Sequence, residues 1–387
     1  MPSKNDDWQN PINYNGQIVV FSFLRILFSY LRPSENTMSR EEKVKNFNPD
    51  GVGQANGNLF GLPFTYEESR IAILPVPWDV TVSYSDGTSD GPQAILDAST
   101  QLDFNDPDFP DAWKTGFFLT PVSVEWKKLN DDLRNRSTAY IDFLENGGNL
   151  SGNEEMQSVV QEVNTACDML RQRVFERTTE MLNDGKFVAL LGGDHSTPLG
   201  FIQALAKKHE DFAILQIDAH CDLRESYEGF TYSHASIMFN ALKTPQVKKL
   251  VQVGIRDYCR QESEMEKKSG GRIKIFYDRY LKHSSFEGKT WNSLCDEIIS
   301  ELPEKVYISF DIDGLDPKLC PGTGTPVPGG LEFEQAVYLF KKLTDKGHTI
   351  IGFDLNEVSP GNDEWNANVG ARMLWKLCVF AAKSNNL

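Results

Sequence analysis

Six side chains in three short motifs have the types and the spacing of a divalent-cation site. Alternate residues of an extended strand share a face, so the run DAHCD aims three side chains in one direction, those of Asp218, His220 and Asp222. Asp311 and Asp313 repeat this spacing in the run DID, and His195 lies in the run LLGGDHS. Carboxylate and imidazole groups bind divalent cations, and a pair of such cations can activate water. The motifs therefore predict a metal-dependent hydrolase.

Four aspartates gathered at one site need positive charge to balance them. Carboxylates packed together raise one another's pKa and destabilise the fold. Two divalent cations would offset the four negative charges. A site of mostly carboxylate with some imidazole favours manganese, with nickel, iron or cobalt as alternatives, whereas zinc centres more often use thiolate or three nitrogens. We therefore expect two divalent metal ions per chain, Mn²⁺ or Ni²⁺.

Each motif taken alone also has a structural explanation. A single DxD run is often a turn or a helix-capping pair. Cys221 stands between two candidate ligands, but its side chain should point to the opposite face of the strand, where it would be a core thiol. Three strand ends that supply His, DxHxD and DxD together are hard to explain by turns and caps.

Seven apolar runs rich in β-branched residues predict the strands that carry these motifs. Runs that are apolar throughout are typical of strands buried on both faces of a parallel sheet. They are Arg70–Pro77, Lys186–Leu191, Phe212–Asp218, Leu250–Ile255, Ile273–Tyr277, Lys305–Asp311 and Thr349–Leu355. Amphipathic patterns between them predict helices at Val163–Asn183, Phe201–Lys208, Trp291–Leu302 and Phe333–Thr344.

This alternation predicts the α/β class, as a three-layer α/β/α sandwich with a central, mostly parallel sheet. All three polar motifs begin at the carboxyl end of a predicted strand. In open α/β sheets ligands bind at that edge, because the loops there converge. The sequence therefore predicts one site at one edge of the sheet.

The predicted domain organisation is an N-terminal extension over residues 1–60 and one catalytic domain over residues 61–387. The apolar run Gln17–Leu31 is short for a membrane span, is interrupted by Arg25 and lacks the flanks of a secretory signal. Met38 opens a stretch that resembles an ordinary protein start, so residues 1–37 are either a mis-assigned start or a genuine helical extension. Residues 100–160 are polar and are expected to form an irregular surface insertion.

Composition and charge exclude several partners. The chain has 39 basic and 55 acidic side chains and a net charge of −16, so a surface this negative repels phosphate backbones and anionic lipid. We expect no nucleic-acid partner and no membrane partner. The six cysteines show no CxxC spacing, which favours reduced thiols and a cytoplasmic location over a disulfide framework.

The three motifs resemble those of the ureohydrolases, the family of arginase, agmatinase, formimidoylglutamase and guanidine hydrolase. GGDHS (192–196), DAHCD (218–222) and SFDIDGLDP (309–317) are similar to its three metal motifs, and PGTGTPVPGG (321–330) to its substrate-side loop. The resemblance extends from about Ile71 to the C-terminus, with GTSDGP (87–92) similar to the N-terminal signature. It implies an arginase-like fold and the release of urea from a small guanidino compound.

The resemblance also implies a role for each site residue. Asp218 and Asp311 would bridge the two metals. His195 and Asp222 would complete one coordination sphere, and His220 and Asp313 the other. A water shared between the metals would attack the guanidinium carbon, and Asp222 would pass its proton to the leaving nitrogen. Glu357 would pair with the guanidinium, and His234 would shuttle protons.

The substrate is chosen by the loops around the metals. The segment LRESYEGFTYSH (223–234) lacks the Asn and Ser positions with which arginase-like enzymes hold an amino acid, so arginine is disfavoured. The segment 75–92 and the extended N-terminus resemble guanidine hydrolases. Trp78 and Trp365 could narrow the pocket or stack on a planar cation, although core packing also explains a tryptophan. We therefore expect free guanidine as the substrate, with agmatine as the main alternative and another guanidino acid less favoured.

Two further classes stay open as alternatives. A single-zinc deacetylase shares a similar sheet but keeps only one Asp-His-Asp set, and a catalytically silent subunit would be expected to have lost ligands. The resemblance implies a homotrimer or homohexamer.

Overall fold

Each strand of the central sheet sends alternate side chains to opposite faces, and each face has its own hydrophobic core. In the computed structural model, which describes residues 38–387, Ile71 and Ile73 pack into one cluster of buried side chains. Ala72 and Leu74, from the same strand, pack into the other. Because both faces of the sheet are covered, each strand needs apolar residues at every position.

Eight strands in the described part of the chain form one sheet. In chain order they are β1 Ile71–Val76, β2 Phe117–Leu119, β3 Phe187–Gly192, β4 Phe212–Ile217, β5 Val247–Ile255, β6 Ile273–Tyr277, β7 Lys305–Asp311 and β8 Thr349–Asn356. Their order across the sheet is β2-β1-β3-β8-β7-β4-β5-β6. Every neighbouring pair is parallel, so the carboxyl ends of all the strands lie at one edge.

Helices cover both faces of the sheet. They are α1 Arg40–Asn46, α2 Gly91–Ala98, α3 Val124–Glu145, α4 Glu154–Asn183, α5 Leu199–Lys208, α6 Ile237–Ala241, α7 Arg260–Lys268, α8 Asp278–Phe286, α9 Trp291–Ser300, α10 Phe333–Asp345 and α11 Trp365–Ser384. Helices α2, α8, α9, α10 and α11 contribute to the first core cluster, and α3, α4, α5 and α6 to the second. The predicted three-layer α/β/α sandwich is confirmed, with a wholly parallel sheet.

The predicted irregular insertion at 100–160 is wrong for most of its length. Ser123 begins α3 by accepting a hydrogen bond from the Trp126 backbone N–H at 3.2 Å, and Asn153 caps α4 in the same way. Helix α3 continues to Glu145, and the short edge strand β2 also lies in this segment. The helical period of α3 is hard to see in the sequence because part of its buried face is polar, including Asn130 and Ser137.

The predicted boundary at residue 60 also differs from the structure. Arg40–Leu387 form one compact unit, so residues 40–60 belong with the catalytic domain. Arg40 donates to the Glu68 carbonyl at 2.9 Å, Lys43 pairs with the Glu68 carboxylate at 2.7 Å, and Leu59 is buried in the core. The run Gln17–Leu31 lies outside the described residues. No helix in the described range has the length and apolarity needed to cross a membrane.

Candidate metal centre and adjoining cavity

Four neighbouring strands deliver the candidate ligands to one edge of the sheet. Strands β3, β8, β7 and β4 are adjacent in the order of the sheet. His195 follows β3, Asp218 follows β4, Asp311 ends β7 and Glu357 follows β8. Parallel strands end at the same edge, so residues more than 100 positions apart in the chain meet there.

His195 brings one ring nitrogen into contact with three carboxylates. Its Nδ1 lies 3.0 Å from Asp218 Oδ2, 3.1 Å from Asp222 Oδ2 and 3.3 Å from Asp311 Oδ2. The imidazole is buried, and Nδ1 has no hydrogen bond of acceptable geometry among the described residues. A nitrogen and three carboxylate oxygens that converge in this way form a ligand set for a cation.

Asp218 belongs to two such groups at once. Its Oδ2 faces His195, whereas its Oδ1 lies 3.6 Å from Nδ1 of His220. That nitrogen is also 3.1 Å from Asp313 Oδ2. One group therefore comprises His195, Asp218 and Asp311, and the second comprises Asp218, His220 and Asp313. The sharing of Asp218 is the arrangement that a pair of bridged metals requires.

The structure brings all six predicted ligands together but treats the two predicted bridging residues differently. Asp311 turns Oδ2 toward His195, while its Oδ1 accepts a hydrogen bond from the Asp313 backbone N–H at 2.8 Å. A bridging role for Asp311 therefore stays a prediction. Asp222 has a left-handed backbone with φ of 54°, which is uncommon for a residue other than glycine and is typical of functional sites.

A buried serine fixes the orientation of the His195 ring. Ser309 Oγ lies 2.8 Å from His195 Nε2 and donates to Asp354 Oδ1 at 3.0 Å. Because its hydrogen is used on Asp354, Ser309 accepts from His195, and Nε2 carries the ring hydrogen. In the neutral imidazole, Nδ1 then has its lone pair toward the three carboxylates, as a metal ligand must.

A pair of buried amides holds Asp218. Gln216 and Gln252 face each other at matched positions of β4 and β5, and both are fully buried. Gln216 Nε2 donates to Asp218 Oδ2 at 2.6 Å, and Gln252 Nε2 donates to Gln216 Oε1 at 2.5 Å. This chain of hydrogen bonds fixes the oxygen of Asp218 that faces His195.

The crowded carboxylates perturb one another. Burial and the charge of Asp218 raise the pKa of Asp222 to about 7. Burial, followed by Asp313 and Asp218, raises the pKa of Asp311 well above its usual value. Burial acts in the same direction on Asp218, but His195 and His220 outweigh it and hold its pKa below the usual range. Divalent cations would relieve this repulsion, so the donor set fits the pair of ions predicted from the sequence.

Glu357 offers a carboxylate oxygen to a ligand. Its Oε1 accepts a hydrogen bond from the His195 backbone N–H at 2.9 Å, but its buried Oε2 has no partner among the described residues. A methyl group at Gly324 would come within 2.8 Å of this oxygen, so the glycine leaves space next to it. Glu357 also has a left-handed backbone, with φ of 65°.

A cavity of about 340 Å³ opens beside the ligand groups. Two predicted ligands, His220 and Asp222, line it together with His234. Burial, followed by the charges of His220 and Arg134, lowers the pKa of His234 to about 3, so its imidazole is neutral at neutral pH. The structure thus brings His234 to the site but leaves its role a prediction.

The two predicted tryptophans are not brought to this cavity. Trp78 is fully buried in the second core cluster, and Trp365 is 51% exposed at the start of α11. Core packing accounts for Trp78. Cys221 is also fully buried in the core, as its position between two ligands indicated.

Several cavity residues were missed by the sequence analysis. Arg224 lies 4.8 Å above the ring of Tyr227, whose ring is 6.0 Å from His234 and perpendicular to it. Two carboxylates and two further tyrosines also line the cavity: Asp257, Glu262, Tyr84 and Tyr258. The nearness of Arg224 and Tyr227 to DAHCD in the sequence was the available signal, whereas Tyr84 and Tyr258 lie in loops after other strands.

Residues 69–379 match the arginase family. The chain belongs to the arginase family. It is 32% identical over 309 residues to an N(1)-aminopropylagmatine ureohydrolase of Thermus thermophilus, covering 80% of this chain and 89% of the relative. It is 28% identical over 300 residues to an agmatinase of Bacillus anthracis, covering 77% and 87%. The crystal structure of agmatine ureohydrolase of Thermoplasma volcanium has the same fold, with a TM-score of 0.63, 22% identity and coverage of 89% and 99%.

Membership of the arginase family confirms the predicted family and the predicted class of hydrolase. The predicted preference for free guanidine is not confirmed, because these relatives carry the names of agmatine-type ureohydrolases. The structure has two ligand groups that share Asp218. A single-zinc deacetylase would need only one Asp-His-Asp set, so this alternative is disfavoured.

Proposed function

We propose that this member of the arginase family hydrolyses a carbon–nitrogen bond of a small guanidino compound and releases urea. The observation that carries the proposal is the pairing of two ligand groups around Asp218 with a free oxygen of Glu357. A planar guanidinium presents two parallel N–H groups, and a carboxylate accepts such a pair well.

Two divalent cations would be held at the two groups, one by His195, Asp218, Asp222 and Asp311 and the other by Asp218, His220 and Asp313. We propose that Asp311, like Asp218, would serve both ions. When bound, they supply the positive charge that activates a water as nucleophile and balances negative charge as it develops. Mn²⁺ and Ni²⁺ are the ions we propose, from the mixture of carboxylate and imidazole.

The side chains of the site divide the remaining work. Glu357 binds the guanidinium N–H groups through Oε2 and so orients the guanidinium carbon toward the ligand groups. Asp222 would accept the proton of the attacking water and return it to the leaving nitrogen. His234 lines the cavity as a neutral imidazole and would relay protons between the site and solvent.

The shape of the cavity supports a substrate with a tail. About 340 Å³ is far more room than free guanidine needs. Besides the predicted ligand Asp222, two carboxylates and three tyrosines line it, against the single arginine Arg224, which favours an amine-bearing tail. Our first candidate is therefore an amine-tailed guanidino compound of the agmatine type. Free guanidine, favoured by the sequence, is the second candidate, because Glu357 needs only the guanidinium group.

A urea-release assay tests both candidates. Protein loaded with Mn²⁺ or Ni²⁺ is given agmatine, an aminopropyl derivative of agmatine, guanidine, arginine and guanidino acids. We expect urea from a guanidino compound, with agmatine-type compounds ahead of guanidine, and no urea from an Asp311→Asn variant. Asp345→Asn is the control, since Asp345 is a surface residue paired with Lys383 at 2.8 Å. Metal-loaded protein that releases no urea from any of these compounds would refute the proposal.

We also propose an assembly and a cellular location. The family resemblance supports a homotrimer or homohexamer, and light scattering on the purified protein measures its mass. All six cysteines lie in the described part of the chain and are free, which supports our proposal of a reducing cytoplasmic compartment.

A further inference from the structure

Helix α3 has a polar stripe on its buried side. Asn130, Arg134, Ser137 and Tyr140 are spaced by four, three and three residues, so they lie along one face of the helix. Asn130, Ser137 and Tyr140 are each no more than 1% exposed. Burying polar groups costs free energy unless each finds a hydrogen-bond partner. The partners of this stripe belong to two loops and are mostly backbone groups.

The first three residues of the stripe bind the loop after β1. Asn130 and Asp79 exchange two hydrogen bonds, from the Asp79 backbone N–H at 2.6 Å and from the Asn130 amide at 2.9 Å. Arg134 donates to the carbonyls of Val80 at 3.3 Å and Val82 at 2.5 Å. Ser137 Oγ donates to the Val80 carbonyl at 2.6 Å. This loop continues into Ser83 and Tyr84, which line the cavity.

The last residue of the stripe binds the loop after DAHCD. Tyr140 donates its hydroxyl hydrogen to the Glu228 carbonyl at 2.9 Å, and Glu228 has a left-handed backbone with φ of 52°. The same loop supplies Arg224 and Tyr227 to the cavity. Asn164 of α4 holds its far end by donating to the Gly229 carbonyl at 2.9 Å.

The loop after β1 also touches the ligand site directly. Thr81 Oγ1 donates to Asp194 Oδ2 at 3.3 Å and accepts from the His234 backbone N–H at 3.3 Å. Asp194 directly precedes His195 in the chain. A shift of this loop would therefore move His234 and the neighbourhood of His195.

We propose that the polar stripe of α3 is a positioning element that holds the two cavity-lining loops at a fixed separation and so sets which substrate tail the enzyme accepts. We call Asn130, Arg134, Ser137 and Tyr140 the α3 brace. The part of this inference that concerns the substrate rests on the proposed function. The contacts of the α3 brace with the two loops do not depend on it. One helix that binds the backbone of both loops can control the width of the cavity without touching the reacting atoms.

Arg134→Met is the main test, with Arg136→Met as a matched control. Both arginines lie on α3, but Arg136 faces outward and pairs with Glu162 of α4, a half-exposed contact that contributes little to stability. Arg134→Met removes the donors to Val80 and Val82. We expect faster backbone hydrogen exchange at 79–85 and 224–231 in Arg134→Met alone, with metal stoichiometry unchanged in both variants.

Kinetics distinguish positioning from a purely structural contribution. Misplacement of a bound substrate by about 1 Å can cost a factor of roughly 100 in rate. We expect Arg134→Met to raise KM more than it lowers kcat and to change the agmatine-to-guanidine ratio of kcat/KM by about tenfold. Arg134→Lys, which keeps one donor, should restore part of the ratio. A merely structural role would lower Tm and leave the ratio alone.

Tyr140→Phe is a second test variant in case Arg134→Met does not fold. It removes only the hydroxyl that binds Glu228, and Tyr338→Phe, whose hydroxyl binds Asn292 on the surface, is its control. The proposal would be overturned if the folded variant kept wild-type hydrogen exchange in both loops and the wild-type agmatine-to-guanidine ratio of kcat/KM. If the wild-type enzyme turns over no guanidino compound, the proposed function fails, while hydrogen exchange still decides whether the brace holds the loops.

Discussion

Glu357 combines two features that are costly in a folded protein. Its backbone lies in the left-handed region, which costs a non-glycine residue of order 1 kcal/mol or more. Burial, followed by Asp194, also raises the pKa of its carboxyl group well above the usual value. Neither feature improves packing. Both accompany the placement of an unpaired carboxylate oxygen at the edge of the ligand groups. A cationic group bound there would relieve the second cost.

Glu357→Gln should weaken substrate binding and leave the metals in place. The amide keeps an oxygen for the His195 backbone N–H but turns an NH₂ toward the guanidinium, which repels it. A hydrogen bond to a charged group contributes about 1.5–3 kcal/mol, so kcat/KM should fall roughly tenfold to a hundredfold. Steady-state kinetics and metal analysis measure the two effects. Glu210→Gln, on the exposed approach to β4, is the control, and unchanged kinetics in Glu357→Gln would remove its assigned role.

For individual residues, the sequence is informative where a motif has a fixed spacing. The six predicted ligands follow from DxHxD, DxD, the histidine of GGDHS and the strand that precedes each motif, and the structure brings all six together. The residues that orient them were not predicted. Gln216 and Ser309 each lie two positions before an aspartate ligand, on the same face of their strands, but their partners Gln252 and Asp354 come from neighbouring strands. Strand order, which the sequence does not state, decides those pairs.

The apolar strands were predicted well, but several helices were not, among them α3 and the largely buried α11. All seven predicted strands exist, because a strand covered on both sides must be apolar at every position. Helix α3 was missed because its buried face includes Asn130, Arg134 and Ser137, which bind loops instead of packing against other apolar side chains. Strand β2 has three residues at the edge of the sheet, too few for a periodic signal.

Helix α5 depends on a glycine for its position against α4. A methyl group at Gly200 would lie 2.2 Å from the Arg171 carbonyl oxygen and 2.7 Å from the Phe175 backbone nitrogen. Alanine is favoured over glycine in a helix by about 1 kcal/mol. Steric overlap with backbone of a neighbouring helix should outweigh that preference, since overpacking costs typically 1–3 kcal/mol.

Gly200→Ala should therefore lower the free energy of unfolding, whereas helix propensity alone predicts that alanine would raise it. Ala206→Gly on the same helix is the matched control, because Ala206 is only partly buried and its loss should cost about 1 kcal/mol from propensity alone. Urea or thermal unfolding followed by circular dichroism measures both. A Gly200→Ala protein more stable than wild type would show that α4 and α5 are not packed this closely.

At the scale of the whole molecule, the described residues include a cluster of acidic groups that is poorly solvated. The chain has a net charge of −16, and seven of its acidic groups are buried at or next to the metal centre: Asp194, Asp218, Asp222, Asp311, Asp313, Asp354 and Glu357. Burial raises the pKa of both Asp194 and Asp354 to about 6. A fold that buries this many carboxylates is stable at neutral pH only if protons or cations balance them.

Metal-free protein should therefore become less stable as the pH rises toward neutrality. Burial and Asp218 raise the pKa of Asp222 to about 7 in the folded state, whereas the unfolded side chain loses its proton near pH 4. The folded state then binds more protons between these values, and stability falls by up to a few kcal/mol across the window. His220 acts in the same direction. Burial opposes the shift, but Asp313 and Asp218 raise its pKa, so its contribution is lost as the pH passes that raised value.

Thermal unfolding from pH 5.5 to pH 8, with and without bound Mn²⁺ or Ni²⁺, measures this dependence. The ions take the place of the protons, so the difference in Tm between metal-loaded and metal-free protein should widen by several degrees as the pH rises. Asp222→Asn removes one titrating group and should flatten the metal-free curve. If the difference in Tm were the same at every pH, the buried carboxylates would not be exchanging protons for metal, and the centre would have to balance its charge in another way.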